Sequence, residues 1–387
     1  MSHEGFGEDS LRVPGRIPRI SSETALQLPA EPLVLAGLFA IRRHGYCRQV
    51  SDFGAWTSKM RSLADDALDR DKLVEAAFYY RAAEFYTIPH QEREALYEQF
   101  AELFYRAFAA DGIETHQVPY GDSTLHALRL PRASDQPQRG TVVLHGGFDS
   151  FIEEFYSMMR HFSDDGYDVI GFDGPGQGAT RRRHGVAFDY RWEKPTGAVL
   201  DYFHVDDVTL IGLSLGGWLG LRASAYDKRI QRVIANGHAY DQYKIPSPIA
   251  QWLMTFFNTR YKDASNKLAL KNIEKGGMEG WQMSNLIYIT KIEAPMSAFD
   301  YAMQLNEANL HCELVDRDVL LMTSREDHFI PYKLHDRQVE LLSNAKSLTD
   351  RVFTRDESAQ NHCQIGNVGL ALETMARWIQ ATADTGR

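Results

Sequence analysis

Val208-Thr-Leu-Ile-Gly-Leu-Ser-Leu-Gly-Gly217 is the stretch from which the rest of the chain can be read. Four β-favouring residues run into Gly212-Leu-Ser-Leu-Gly216, and a helical pattern follows from Trp218 to Tyr226. Strand, sharp turn and helix with G-x-S-x-G at the turn is the signature of a nucleophile elbow. The spacing has a steric cause: glycines two before and two after Ser214 let strand and helix backbones pass closely. The turn then holds the hydroxyl over the sheet edge, and the Leu215 N–H at the helix start faces developing negative charge. An ordinary Gly/Ser turn between a strand and a helix would carry the same five residues, so the flanks must decide.

On the N-terminal side, Thr141 to His145 reads as a short buried strand opening into Gly146-Gly-Phe-Asp-Ser150. A helix over Phe151–Phe162 and a strand over Tyr167–Phe172 follow, ending at Asp173-Gly-Pro-Gly-Gln-Gly178. Beyond the elbow, Arg232–Asn236, Asp318–Thr323 and a segment near Arg351–Thr354 read as further strands, and Val368–Thr382 as a closing amphipathic helix. Strands alternating with helices predict an α/β fold with a mostly parallel sheet covered on both faces. Residues 243–315 break the alternation with helix formers and aromatics (Trp252, Phe256, Phe257, Trp281), and read as a helical cap insertion at a strand end.

Upstream, Thr115–Tyr120 and Thr124–Leu130 read as two strands around a Gly-Asp-Ser turn. Residues 31–113 are expected to form a helical N-terminal domain. Val74, Phe78, Ala82 and Phe85 share one helical face with Glu75, Arg81 and Glu84 off it, and Leu96, Phe100, Leu103 and Ala107 share another. Residues 1–30 lack periodicity and read as an arm. The expected division is therefore an arm (1–30), a helical lid domain (31–113), a core in two parts (114–242 and 316–387), and a cap (243–315). The lid and the cap are expected to roof Ser214 together.

Composition narrows the function classes. The 387 residues are 44% hydrophobic and carry 42 basic against 52 acidic side chains, a net charge of −10. No basic half exists to meet nucleic acid. Cys47, Cys312 and Cys363 form neither a zinc pattern nor a disulfide framework. The longest apolar run, Pro32–Ile41, is too short to span a bilayer, and the N-terminus lacks signal-peptide character. The expectation is a cytoplasmic protein acting on a small molecule without cofactor or metal, with neither nucleic acid nor membrane as partner and a homodimer left open.

A serine nucleophile needs a base, and the base needs an orienting carboxylate. In this architecture the chain order is serine, acid, histidine. Asp327, in Ser324-Arg-Glu-Asp-His-Phe-Ile-Pro331, follows the next suitable strand; Glu326 is its local competitor. His362, in the polar loop Asp356 to Gly366, fills the histidine slot, and His328 stands too close to Asp327 along the chain. The glycines after His145 leave N–H groups open, so Gly147 or Phe148 would join Leu215 in an oxyanion hole. Arg181-Arg-Arg-His184 reads as a solvated loop, with an anion site as the sharper alternative. The Gly174–Gly178 turn does not match a phosphate loop.

Together, His145-Gly-Gly-Phe-Asp, Asp173-Gly-Pro-Gly-Gln-Gly, Gly212-Leu-Ser-Leu-Gly-Gly, Asp327 and His362-Cys-Gln resemble the α/β-hydrolase superfamily. The N-terminal helices and the His-Cys-Gln loop are similar to a narrower group, the 2,6-dihydroxypseudooxynicotine hydrolase and polyketide-shortening hydrolases. The likeness spans roughly residues 70–387 and implies an α/β-hydrolase fold. It also implies cleavage of a C–C bond beside a carbonyl, in a mid-sized aromatic or β-dicarbonyl substrate. A carboxylesterase or thioesterase acting on a small hydrophobic acyl substrate would need no different triad. From another class, a catalytically silent binding or regulatory relative would lack turnover altogether. The distance in sequence from Ser214 to Asp327 departs from the group and implies a larger cap.

Overall fold

The computed structural model describes residues 52–384, apart from 89 and 134. The expected arm, the first part of the helical domain and Cys47 lie outside the described residues. Eight strands form one sheet: β1 (Glu114–Tyr120), β2 (Ser123–Leu130), β3 (Gly140–His145), β4 (Tyr167–Asp173), β5 (Val208–Leu213), β6 (Ile230–Asn236), β7 (Asp318–Ser324) and β8 (Ser347–Phe353). Their order is β1-β2-β4-β3-β5-β6-β7-β8. The pairs β1–β2 and β2–β4 are antiparallel and the remaining pairs parallel.

Register brings the strand ends to one edge. His145 pairs with Gly212, Leu213 with Asn236, Asn236 with Met322, and Ser324 with Phe353. Every loop leaving β3, β5, β6, β7 and β8 therefore departs from the same carboxyl edge, where α/β sheets place their ligands. Strands β5 and β7 are buried at every residue. They read as continuous apolar runs because helices cover both faces of the sheet.

Among the described residues, three helices precede the sheet: α1 (Phe53–Leu68), α2 (Leu73–Phe85) and α3 (His90–Ala107). Within the sheet region come α4 (Tyr156–Asp164), α5 (Gly178–Arg182), α6 (Glu193–Phe203) and α7 (Leu215–Tyr226). The helix expected over Phe151–Phe162 is a 3₁₀ turn, Ile152–Phe155, that passes into α4. The cap comprises α8 (Pro248–Arg260), α9 (Lys262–Lys275), α10 (Met278–Thr290), α11 (Pro295–Ala302) and α12 (Glu307–Leu310); α13 (His335–Leu341) and α14 (Val368–Asp384) complete the core. No described helix is long and apolar enough to cross a membrane.

One expectation about α2 is overturned. Arg81 and Glu84, assigned by periodicity to the outer face, are 3% and 0% exposed. Glu84 accepts from Arg81 at 2.5 Å and from Arg93 at 3.1 Å, and it also pairs with Arg182. The Arg182 side chain is 5% exposed, so this member of the arginine run is buried, while Arg183 stays exposed and pairs with Glu98. Burial is tolerated because each charge meets an opposite one. The cap's aromatics divide: Trp281 is buried, whereas Trp252, Phe256 and Phe257 are exposed. Trp281 stacks on Phe85, donating its indole N–H to the Phe85 carbonyl at 2.5 Å, and Arg93 donates to Asn285 at 2.9 Å. The N-terminal helices and the cap are thus tied to each other.

Candidate active site

Ser214 sits between β5 and α7 with φ 57° and ψ −128°. A non-glycine residue held there is strained, and close packing on both sides maintains it. A Cβ at Gly212 would stand 2.0 Å from the Gly216 carbonyl oxygen, and one at Gly216 would stand 2.6 Å from that of Gly146. Strand, helix and β3 loop can converge only because those Cβ atoms are missing. The Ser214 N–H donates to the Asn236 carbonyl at 2.8 Å, tying the elbow to β6. Helix α7 is buried on nearly every side, with Trp218 donating to the Tyr240 carbonyl at 3.1 Å.

The structure brings Ser214, His362 and Asp327 into one hydrogen-bonded line. Ser214 Oγ lies 2.8 Å from His362 Nε2, and His362 Nδ1 lies 2.6 Å from Asp327 Oδ2. The other Asp327 oxygen accepts the Phe329 and Ile330 N–H groups at 2.8 and 2.9 Å, which fixes the carboxylate. Glu326 faces away and pairs with Arg355. The His328 ring stands 6.1 Å from that of His362 and outside the line. Burial disfavours the imidazolium of His362, but the Cys363 sulfur and the Asp327 carboxylate outweigh it, and the imidazole is pushed well above its ordinary range. With Nδ1–H directed to Asp327, Nε2 is the nitrogen that faces the serine.

The loop bearing His362 is held by residues to which the sequence reading gave no structural role. Gln364 is fully buried and bridges two strand ends, accepting from Asn236 at 2.9 Å and donating to Ser324 at 3.0 Å. Cys363 and Gln364 both take positive φ, 49° and 55°, so the loop is bent sharply around that amide. The signal available in the sequence was the glutamine of His362-Cys-Gln, quoted for its family likeness but given no role.

Among the oxyanion candidates, the structure separates Gly147 from Phe148. The Gly147 N–H donates to Ser150 Oγ at 2.8 Å and is already engaged. Of the two alternatives, this bond favours Phe148 over Gly147 as the candidate donor beside Leu215. A Cβ on Gly147 would stand 3.0 Å from the Leu215 nitrogen and 3.1 Å from Ser214 Cβ, so this loop lies directly against the elbow. His145 beneath it is buried against Phe172 and Trp192 and pushed down to about 4 by burial, which keeps it neutral and structural.

Comparison with known proteins agrees with this geometry at the level of fold. Residues 141–269 match a family model described as alpha/beta hydrolase fold. Hydrolase acrC of Aspergillus aculeatus is 27% identical over 63% of this chain and 67% of its own. Hydrolase LUC6 of a Fusarium species is 29% identical over 62% of each. Other curated relatives are matched over about half their length; a Pyricularia grisea hydrolase, pyiE, is matched over 54% of its own. Among solved structures, 2,6-dihydroxy-pseudo-oxynicotine hydrolase superposes with a TM-score of 0.60 at 18% identity, covering 88% of this chain and 90% of that one. AbyA5 does so with a TM-score of 0.67 at 17% identity, covering 91% and 95%. The chain has the α/β-hydrolase fold, with helices before the sheet and a helical cap set into it.

Proposed function

We propose that this protein is a serine hydrolase in which Ser214, His362 and Asp327 form the catalytic triad. The observation that carries the reading is the continuous line from Ser214 Oγ through His362 to Asp327, at 2.8 and 2.6 Å, set on a strained elbow. His362 takes the serine proton as Oγ attacks a carbonyl carbon, and Asp327 holds the imidazole in the tautomer that allows it. The Phe148 and Leu215 N–H groups receive the oxyanion of the tetrahedral intermediate. Protonated His362 then delivers its proton to the leaving group. Water, deprotonated by the same imidazole, releases the acyl group from Ser214.

The substrate class we infer is a mid-sized aromatic or β-dicarbonyl compound cleaved at a C–C bond beside a carbonyl. Support comes from the fold shared with a structure named for hydrolysis of 2,6-dihydroxy-pseudo-oxynicotine. A carbon leaving group departs only if its carbanion is delocalised, which an adjacent carbonyl or electron-rich ring provides. The test is a turnover panel of aryl ketones, β-diketones and matched esters, with wild type and Ser214→Ala side by side. Turnover of the ketones that disappears in the alanine variant supports C–C hydrolysis. Turnover of esters alone would move the assignment to a carboxylesterase, and no turnover of any kind would favour a binding role.

A further inference from the structure

Gln177 lies in the glycine-rich turn after β4 and is 2% exposed. Its Nε2 donates to the Gly146 carbonyl at 2.9 Å and to the Gly147 carbonyl at 2.6 Å, while its Oε1 accepts the Gly174 N–H at 3.0 Å. The second of these contacts has a geometric consequence. In a planar trans peptide the carbonyl oxygen and the following N–H point in opposite directions. The carbonyl of Gly147 and the N–H of Phe148 belong to one such unit. Holding that oxygen on the Gln177 side turns the Phe148 N–H the other way. The preceding unit is closed at both ends, because Gln177 takes the Gly146 oxygen and Ser150 Oγ takes the Gly147 N–H.

We propose that Gln177 is a positioning residue that aims the Phe148 N–H at the oxyanion, a role that rests on the serine-hydrolase reading above. The glutamine is itself fixed. A Cβ on Gly174 would strike Trp192 at 2.2 Å, and one on Gly176 would strike Phe188 at 2.7 Å, so the turn is seated on two aromatic side chains. Asp173 staples the two loops a second time, accepting the Ile152 N–H through Oδ1 and the Ala179 N–H through Oδ2, both at 2.9 Å. Further along the loop, Arg81 of α2 donates to the Asp149 carbonyl at 2.8 Å. The oxyanion loop is thus gripped by the β4 turn and by the N-terminal helices, leaving little freedom for the Phe148 peptide to rotate. A hole whose donors are set in advance loses no reorganisation energy when charge develops.

The competing role is purely structural, with Gln177 serving only to satisfy two buried carbonyls. Gln177→Met removes the donor at similar volume, and Gln177→Glu removes it while keeping an oxygen for the Gly174 N–H. Both are compared with Ser214→Ala on a p-nitrophenyl ester, per unit of folded protein, well below each melting temperature. Inhibition is measured with an aliphatic trifluoromethyl ketone, whose serine adduct carries an oxyanion, and with the product acid. Loss of a whole oxyanion donor costs about 10²–10³ in kcat, so misdirecting one is expected to cost about 10–100-fold with KM little changed. Trifluoromethyl ketone affinity should fall in step with kcat/KM while the product acid binds as before. A structural role instead predicts a lower Tm with kcat intact, or equal weakening of both inhibitors; either result overturns the proposal. Wild-type turnover in Ser214→Ala would overturn the serine-hydrolase reading itself. A dead Ser214→Ala beside a fully active Gln177→Met would overturn only the positioning role.

Discussion

Two buried charge assemblies lie against the loop after β3, and they are built on opposite principles. The site at the strand edge is an open line: Asp327 meets His362, His362 meets Ser214, and the line ends on a hydroxyl. The assembly between α2, α3 and α5 is a closed cage, in which Glu84 is shared by Arg81, Arg93 and Arg182. Burial would raise the Glu84 carboxyl, but the surrounding guanidiniums overwhelm it and hold it down to about 2. Arginine does not deprotonate at accessible pH. Nothing in the cage changes charge near neutrality, whereas the line contains an imidazole that must gain and lose a proton. The first can only hold elements together; the second can do chemistry.

Breaking the line should therefore remove activity and spare stability. Ser214→Ala and His362→Ala are expected to lower kcat by about 10⁴–10⁶ with Tm near that of wild type. Equal losses in the single variants and in the double variant would show that the two side chains act as one unit. Asp327→Asn should cost about 10⁴, because the amide favours the wrong imidazole tautomer. It also carries a pH signature. The base works only when neutral, so activity is lost as pH falls through the pKa of His362. With Asp327 helping to hold that pKa above 6.5, the acidic limb of kcat/KM should lie above the ordinary imidazole range. Any activity left in Asp327→Asn should show the limb displaced downward; an unmoved limb would mean that another group governs it.

Breaking the cage should do the reverse. Glu84→Gln leaves three arginines without their shared carboxylate, and breaking a buried pair in this way costs about 3–5 kcal/mol. The folded-state pKa of Glu84 lies below its unfolded value. Its stabilising contribution is therefore complete above about 4.5 and lost as pH falls toward about 2. Urea unfolding of wild type and Glu84→Gln across that window checks the sign: the difference between them should shrink on acidification. A difference that stays constant from neutral pH to pH 3 would show that Glu84 acts by packing alone. Because Arg81 also holds the Asp149 carbonyl, a secondary fall in kcat is expected in this variant, smaller than that of any triad substitution.

The sheet, the elbow and the line of three side chains were legible in the sequence because their logic runs along the chain. Each of Ser214, Asp327 and His362 lies at or beyond the carboxyl end of a strand, and the strands follow the order that the proposed nucleophile, acid and base require. The cage was not legible, since helical periodicity assumes that a charge points outward. Glu84 points inward because Arg93 of α3 and Arg182 of α5 join Arg81 around it, and Arg81 because Glu84 and Glu154 meet its own charge. Gln177 and Gln364 were missed for a related reason. An amide carries no titratable signature, and its partners are backbone carbonyls or side chains on distant strands that only the folded register brings within reach.

The smallest effects are expected from the two residues that compete most closely with the acid and the base in sequence. Glu326 adjoins Asp327, yet its carboxylate is 41% exposed and pairs with Arg355 on the surface. An exposed pair of this kind contributes about 0–1 kcal/mol, so Glu326→Gln should leave kcat unchanged and stability nearly so. His328 is exposed and touches the site only through ring contacts with Phe329 and, at a 6.1 Å centroid separation, His362. Substitution of such a residue usually costs no more than about 0.5 kcal/mol, a factor of two to three if expressed wholly in rate. His328→Ala should thus stay within about threefold of wild type in kcat/KM. The imidazole nevertheless senses its neighbour, since its own pKa is lowered first by partial desolvation and then, against the pull of Asp327, by charge on His362. His328 is uncharged in the range where His362 titrates, so removing it should leave the acidic limb in place. A loss in His328→Ala as large as that in His362→Ala would mean that the base has been misassigned, and that the line from Ser214 to Asp327 is scaffolding.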